Sequence, residues 1–295
     1  MGFTLITGAS GFLGSHVLTE LKTRDFEILT LGRNKKSKII CDISKEIPKI
    51  DKNLELDLVI HIAGKAHSKE NDSDYYNVNV LGTQNLILGL ENSIKPKKFV
   101  FISSVSVYGQ EKGENITENT ELHFENKYSQ SKIQAEKIIK EWCLINNITL
   151  TILRLPLIVG KNPPGNLGSM IKAIKNNYYF NVNGGEAKKS MVLAIDVAKF
   201  IPKISTKGGT FNLTDGDHPS FYDLSYAIGK KKQLNLPKNF VKLIALFGDI
   251  IGDKFPINTK KLIKLTENLT FDDSNARNHG WKPELILEYL KKNDL

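Results

Sequence analysis

Seven residues near the start of the chain, Gly8-Ala9-Ser10-Gly11-Phe12-Leu13-Gly14, follow a short apolar run, Gly2–Thr7, and precede a helical pattern. Glycines spaced Gly-x-x-Gly-x-x-Gly at a strand-to-helix junction leave few folds open. Gly8 allows a tight strand exit, Gly11 lets the backbone approach a ligand without a Cβ clash, and Gly14 lets the helix pack close to the strand. The free N–H groups at the helix start then face an anion such as a pyrophosphate. Gly8, Ser10, Gly11, Phe12, Leu13 and Gly14 are therefore candidates for holding a dinucleotide.

The first half of the chain supports that reading by alternating strands with helices. Strand patterns run over Gly2–Thr7, Glu27–Leu31, Leu56–Ala63, Lys98–Ser103 and Ile148–Arg154. Helical patterns run over Gly14–Lys22, residues 74–92 and Tyr128–Asn146. Inner positions are Val17, Leu18 and Leu21 on the first, Tyr76, Val80, Leu81 and Leu88 on the second, and Ile133, Ile138, Trp142 and Ile145 on the third. Such alternation predicts an α/β fold, a Rossmann-type doubly wound parallel sheet, with ligands at the carboxyl ends of its strands.

The second half loses the rhythm after the loop signal Asn162-Pro163-Pro164-Gly165. The expectation is a dinucleotide-binding domain over 1–160 plus a return segment at about 191–215. A smaller C-terminal α/β substrate lobe takes about 161–190 and 216–295. Phe240–Ile251 is apolar in patches, too short to cross a bilayer, and expected to pack on a core.

The chain has 295 residues and a formal charge of +9, carried almost entirely by lysine. A solvated basic surface accounts for this without nucleic acid. No apolar run approaches a membrane span, so no membrane partner is expected. Cys41 and Cys143 stand far apart without metal-ligand spacing, Cys143 on the buried side of a helix. A metal-free, reduced, cytoplasmic protein without a secretory leader is the expectation.

Two further features carry chemistry. Tyr128 and Lys132 stand four residues apart, on one face of a helix. A nearby ammonium favours the phenolate, which would make Tyr128 a proton donor and acceptor near neutral pH. Ser104, on the loop after the fourth strand, is a candidate to hold the reacting oxygen. At the end of the second strand, Leu31-Gly32-Arg33-Asn34 lacks the acid that would bind the ribose hydroxyls of NAD. Arg33 suits a 2′-phosphate, giving a slight preference for NADP over NAD; as a plain surface residue it leaves both open. His61 reads as a packed strand histidine, and His67 has no assigned role.

Thr7 to Gly14, Asn79-Val80-Leu81-Gly82-Thr83, Ser103-Ser104-Val105-Ser106-Val107-Tyr108-Gly109 and Tyr128…Lys132 together resemble the extended short-chain dehydrogenase/reductase family, in its nucleotide-sugar epimerase and reductase branch. The likeness continues through Lys189-Ser190-Met191-Val192, Asp196-Val197-Ala198, Phe211-Asn212-Leu213 and His279-Gly280-Trp281-Lys282-Pro283. The resemblance implies Ser104, Tyr128 and Lys132 as the catalytic set, with Lys132 also on the nicotinamide ribose. It implies Asp42 and Ile43 near the adenine, Ala63 and Gly64 along the cofactor, and Asn166 among the sugar-nucleotide contacts. It also implies a homodimer paired through helices 74–92 and 128–146.

Departures narrow the activity. The dehydratase subgroup carries an Asp-Glu pair where this chain has Val105 and Ser106, so 4,6-dehydration is not expected. An arginine often found before Met191 is replaced by Lys188, Lys189 and Ser190, which leaves the diphosphate contact open. The expected activity is hydride transfer at C4 of a UDP- or dTDP-hexose, by a 4-epimerase or a 4-ketoreductase. The alternative is a dinucleotide-binding sensor or assembly protein without chemistry.

Overall fold

The computed structural model describes residues 2–66, 72–252 and 257–293; His67 lies outside them. Strand β1 (Phe3–Thr7) enters helix α1 (Phe12–Lys22) through the glycine turn. The helix begins at Phe12 rather than Gly14, because the turn is already complete at Gly11. Strands β2 (Ile28–Gly32), β3 (Ile39–Ile40) and β4 (Leu56–His61) follow.

The expected helix over 74–92 is three continuous pieces: α2 (Ser73–Tyr75), a π-helical turn (Tyr76–Leu81) and α3 (Gly82–Glu91). The inner stripe runs through Asn79, Thr83, Leu86 and Leu90 at helical spacing, with Ile87 beside it, so Tyr76 and Leu88, expected inside, are exposed.

Strand β5 (Lys98–Ser104) runs one residue longer than expected, so Ser104 closes the strand instead of starting the loop. The short β6 (Gly113–Ile116) precedes the long α4 (Lys127–Ile145). Trp142 and Cys143 take the inner positions of the last turn of α4, which leaves Ile145 exposed. Strand β7 (Thr149–Leu155) completes the first half.

The remaining elements are β8 (Leu157–Val159), α5 (Gly165–Lys175), β9 (Phe180–Val182), β10 (Met191–Leu193), α6 (Ala194–Ile204), β11 (Gly209–Asn212) and α7 (Phe221–Gly229). They continue with β12 (Leu234–Leu236), α8 (Lys238–Ile251), α9 (Thr259–Thr266), β13 (Leu269–Phe271), α10 (Ser274–Asn278) and α11 (Ile286–Lys292).

Seven parallel strands form one sheet in the order β11-β7-β5-β4-β1-β2-β3. The order reverses between β1 and β4, so the glycine turn leaves the sheet at the switch point, where open α/β sheets bind ligands. Helices α1 and α6 cover one face through Val17, Leu21, Val197 and Ile201. Helices α3 and α4 cover the other through Leu86, Leu90, Ala135 and Ile139. Buried on both faces, the strands read as continuous apolar runs.

Apart from the large sheet the chain builds three small two-stranded parallel pairs, β10 with β8, β12 with β9 and β13 with the earlier β6. Strand β11 returns to the edge of the large sheet beside β7. Helix α8 departs from its expectation: Val241, Ala245 and Gly248 are buried, but Phe240, Leu243, Leu246, Phe247, Ile250 and Ile251 are exposed.

Candidate active site

A cleft of about 1490 Å³ opens at the carboxyl ends of the central strands. The turn residues Gly8, Ser10, Gly11, Phe12, Leu13 and Gly14 line it, as do Arg33, Asp42, Ile43, Ala63 and Gly64. Ser104, Tyr128, Lys132 and Asn166 line the same cleft. Every residue singled out from the sequence as a site candidate is thus brought to one place.

The glycine turn fits a dinucleotide. Gly8 has φ +72°, and a Cβ there would lie 2.6 Å from the Ala63 nitrogen; a Cβ on Gly14 would lie 2.0 Å from the Gly8 carbonyl oxygen. Neither position tolerates a side chain. Helix α1 carries no capping side chain and no acid in its first turn. Its unpaired N–H groups suit a phosphate. Arg33, exposed just after β2, lines the cleft without an acid beside it in Leu31-Gly32-Arg33-Asn34.

Helix α4 aims the next set. Asn126 and Ser129 form a reciprocal cap: the Ser129 N–H donates to Asn126 Oδ1 at 2.9 Å, and the Asn126 N–H donates to Ser129 Oγ at 3.2 Å. This fixes the first turn, so Tyr128, Lys132 and Glu136 project inward at successive turns. The Tyr128 ring lies 5.8 Å from that of Tyr75. Lys132 is buried, its Nζ donating to the Ile102 carbonyl at 2.6 Å and lying 4.1 Å from the Phe101 ring centroid. Burial pulls Lys132 down to about 7, with Glu136 acting against the shift.

The expected lowering of the Tyr128 pKa by Lys132 does not occur here. Burial pushes the phenol up, a Ser104 hydrogen bond pulls it back, and Tyr75 adds to the rise. The lysine acts instead on Ile102 and Phe101, and desolvation wins. Ser104 Oγ also accepts from the Ser106 N–H at 3.2 Å, capping the short 3₁₀ turn Val105–Tyr108. Ser104 and Tyr128 thus line the cleft together, close enough for the serine hydroxyl to favour the phenolate.

His61 is structural, as expected. It is buried between Thr7 Oγ1, 2.7 Å from Nδ1, and Thr83 Oγ1, 3.0 Å from Nε2. Thr83 spends its proton on the Asn79 carbonyl at 2.6 Å, so Nε2 carries the imidazole hydrogen and Nδ1 accepts from Thr7. Burial, then Lys132, pushes His61 down to about 3, which keeps it neutral.

Asn79 matters more than its place in a motif suggested. Its side chain accepts from the Lys65 N–H at 2.7 Å and donates to the Lys65 carbonyl at 3.0 Å and to Ser131 Oγ at 2.8 Å. It thereby ties the loop after β4 to α4, from the π-helical turn. The only sequence signal for it was Asn79-Val80-Leu81-Gly82-Thr83.

The far end of the cleft is lined by Lys189, Lys261 and Lys264, with Glu111, Glu125 and Tyr179. Lys189 Nζ donates to the Glu267 carbonyl at 2.9 Å, and burial followed by Lys264 lowers it to about 8. Lys188 is exposed and Ser190 is buried, its Oγ accepting from the Phe271 N–H at 2.8 Å. Ser106 Oγ is buried along the cleft and has no hydrogen-bond partner among the described residues. Among the described residues no cluster of His, Cys, Asp and Glu could hold a metal ion.

Comparison with known proteins adds a family. The model of the NAD dependent epimerase/dehydratase family matches residues 4–213. The chain is 28% identical to the N-acetyl-alpha-D-glucosaminyl-diphospho-ditrans,octacis-undecaprenol 4-epimerase of Escherichia coli O157:H7, over 94% of this chain and 89% of that one. It is 28% identical to a putative UDP-glucose 4-epimerase of Methanocaldococcus jannaschii, over 96% and 94%. Among solved structures, the UDP-N-acetylglucosamine 4-epimerase of Bacillus cereus superposes with a TM-score of 0.76 at 19% identity, covering 99% of this chain and 98% of that one. The UDP-glucose 4-epimerase of Thermus thermophilus, in complex with NAD, gives 0.73 at 19%, covering 98% and 96%. At such identities the structures speak for the fold.

Proposed function

The chain belongs to the NAD dependent epimerase/dehydratase family, and within it we propose that the protein is a nicotinamide-dependent 4-epimerase of a diphosphate-activated hexose. The observation that carries this reading is the convergence of Ser104, Tyr128 and Lys132 on the cleft that also receives the glycine turn. The 4-epimerases among the full-length relatives support the choice of C4. A hexose-1-diphosphate is what a UDP- or dTDP-sugar shares with the polyprenol diphosphate sugar in the Escherichia coli relative's name.

In this reading Tyr128 accepts the proton of the C4 hydroxyl and later returns one, and Ser104 holds the same oxygen through its hydroxyl. Ser104, which pulls the phenol down, favours the phenolate, and Lys132, one turn further along α4, binds the nicotinamide ribose. A bound nicotinamide supplies the hydride acceptor and donor. The 4-keto sugar turns over within the lobe between the two proton transfers, so opposite faces of C4 are presented. Gly8, Ser10, Gly11, Phe12, Leu13 and Gly14 hold the pyrophosphate of the cofactor, Asp42 and Ile43 flank the adenine, and Ala63 and Gly64 run along the dinucleotide. Asn166 and the buried Ser106 hydroxyl offer hydrogen bonds to the sugar nucleotide. Lys189, with Lys261 and Lys264, takes the substrate diphosphate as point charges in place of an arginine fork.

Arg33 favours a second reading, a 4-ketoreductase using dissociable NADPH. The test is turnover of UDP-glucose or UDP-N-acetylglucosamine without added cofactor, read by NMR of the product with absorbance at the nicotinamide band recorded in parallel. Epimerisation without absorbance change supports the first reading; stoichiometric NADPH consumption supports the second. Neither, with either sugar, leaves the non-catalytic alternative. We also keep a homodimer through α3 and α4, whose exposed Leu88, Leu144 and Ile145 are available for such pairing.

A further inference from the structure

Helix α8 has two apolar faces, and the fold uses only one. Val241, Ala245 and Gly248, at i, i+4 and i+7, turn inward. Val241 and Ala245 pack in one cluster with Val182 and Leu262. On the opposite side Leu243, Leu246, Phe247 and Ile250 share a face flanked by Phe240 and Ile251. Phe247 is 65% exposed and Ile250 83%. Single exposed apolar residues are ordinary, but a contiguous row of large ones marks an interaction surface.

Charge says what kind of surface it meets. Residues 230–264 carry nine lysines against two aspartates, a surplus of seven out of the chain's formal +9. Lys242, one turn before Leu246, borders the apolar face, and Lys238 begins the helix. Lys260, Lys261 and Lys264 lie on α9, which packs along α8; Lys260 and Lys264 reach Glu125 and Glu111, and Lys238 reaches Glu267, which offsets part of this charge and leaves Lys242 as the lysine at the border of the face. Against a second copy of this chain, the same face would bring two lysine-rich rims together, at a cost in repulsion. Against an anionic lipid surface, the same charge attracts.

Length excludes a crossing. The helix has 14 residues, about 21 Å at 1.5 Å per residue. No helix of the described residues is long and apolar enough to span a membrane. An outward apolar face with lysines at its border is the pattern of a helix lying in the plane of the interface.

We propose that α8 docks this protein on an anionic lipid surface, with Phe240, Leu243, Phe247 and Ile250 entering the boundary between headgroups and acyl chains. The sequence expectation of no membrane partner rested on span length, which a flat-lying helix does not need. The proposal stands apart from the epimerase reading. It has a bearing on it, because Lys261, Lys264 and Leu265 of the adjoining α9 line the cleft, which would then open beside the headgroups.

The test uses the purified full-length protein and sucrose-loaded vesicles, either equal parts phosphatidylglycerol and phosphatidylcholine or phosphatidylcholine alone. The protein sediments with the anionic vesicles and binds the neutral ones roughly tenfold or more weakly. The triple variant Leu243→Ser, Phe247→Ser, Ile250→Ser keeps its circular dichroism and loses roughly tenfold or more of the anionic binding. Phe247→Trp, otherwise wild type, shifts its emission to the blue when anionic vesicles are added. Absence of both sedimentation and a blue shift overturns the proposal. So does a triple variant that binds vesicles unchanged while light scattering shows a dimer falling to a monomer, because the face would then be a contact between copies.

Discussion

Glu136 holds Arg154 in a two-pronged ion pair, with Nε donating to Oε1 at 3.1 Å and Nη2 donating to Oε2 at 2.7 Å. Both residues are buried. Ser103 Oγ donates to Glu136 Oε1 at 2.6 Å, and Arg154 Nη1 donates to the Tyr108 hydroxyl at 3.1 Å. Tyr108 in turn donates to Asn212 Oδ1 at 2.8 Å. One network thus joins α4, β5, β7 and β11 directly beneath Lys132, one helical turn away.

Glu136→Gln should therefore cost stability well beyond a surface change. It leaves the Arg154 charge buried and uncompensated, worth about 3–5 kcal/mol. Arg154 and Ser103 hold the Glu136 carboxyl below its usual range against the opposing effect of burial. Its contribution is therefore present above the unfolded carboxylate pKa and lost as pH falls through the folded one. Urea unfolding of both proteins at pH 7 checks the size; a loss under about 1 kcal/mol, the scale of an exposed pair, would contradict it.

Tyr128→Phe should lower kcat by about 10²–10⁴ while cofactor affinity stays within about twofold. The phenol lies on the cleft beside Ser104, and its ring remains in the variant. Steady-state turnover and fluorescence titration with the dinucleotide read the two effects separately. Unchanged turnover would point to another proton carrier.

Lys132→Met should stabilise the unliganded protein while abolishing turnover. The folded pKa of about 7 lies below the ordinary lysine value of 10.5. Below pH 7 the lysine is charged in both states and the folded state bears the whole burial penalty. Between about 7 and 10.5 the unfolded chain holds a proton that the folded one lacks, so stability rises with pH. The gain from methionine is on the order of a few kcal/mol at pH 6 and shrinks toward pH 10. Thermal melts of both proteins across that range check it; a gap that stays constant with pH would remove the idea.

Arg33→Ala should weaken NADPH binding about tenfold and leave NADH within about twofold, if the guanidinium meets a 2′-phosphate. Isothermal titration with each cofactor decides. Equal affinity of the wild type for both, or tighter NADH, would set the NADP preference aside.

The sheet and its ligand-binding edge were legible because local patterns encode them. Apolar runs of strand length, glycines at fixed offsets and Tyr128 with Lys132 one turn apart are all short-range signals. Ser104, Tyr128, Lys132 and the glycine turn were thus foreseen to meet. What was not legible depends on distant partners. The π-helical turn between α2 and α3 gives no signal in periodicity. The burial that lowers Lys132 and raises Tyr128 comes from β5 and the Tyr75 ring, which no spacing rule supplies. The outward face of α8 was misread because an amphipathic pattern tells which residues share a side, not whether that side meets protein.

Strand β11 and helix α6 reach the large sheet only after the chain has built α5, β9 and β10. During synthesis, the β7 edge and the apolar side of α1 must wait, uncovered, for residues up to Asn212 to leave the ribosome. A fragment ending at Gly160 would keep the glycine turn and Tyr128 yet carry an open strand edge, the kind of surface on which chains aggregate. The nucleotide half of this protein is thus no detachable module: its sheet is complete only once residues up to Asn212 have been made.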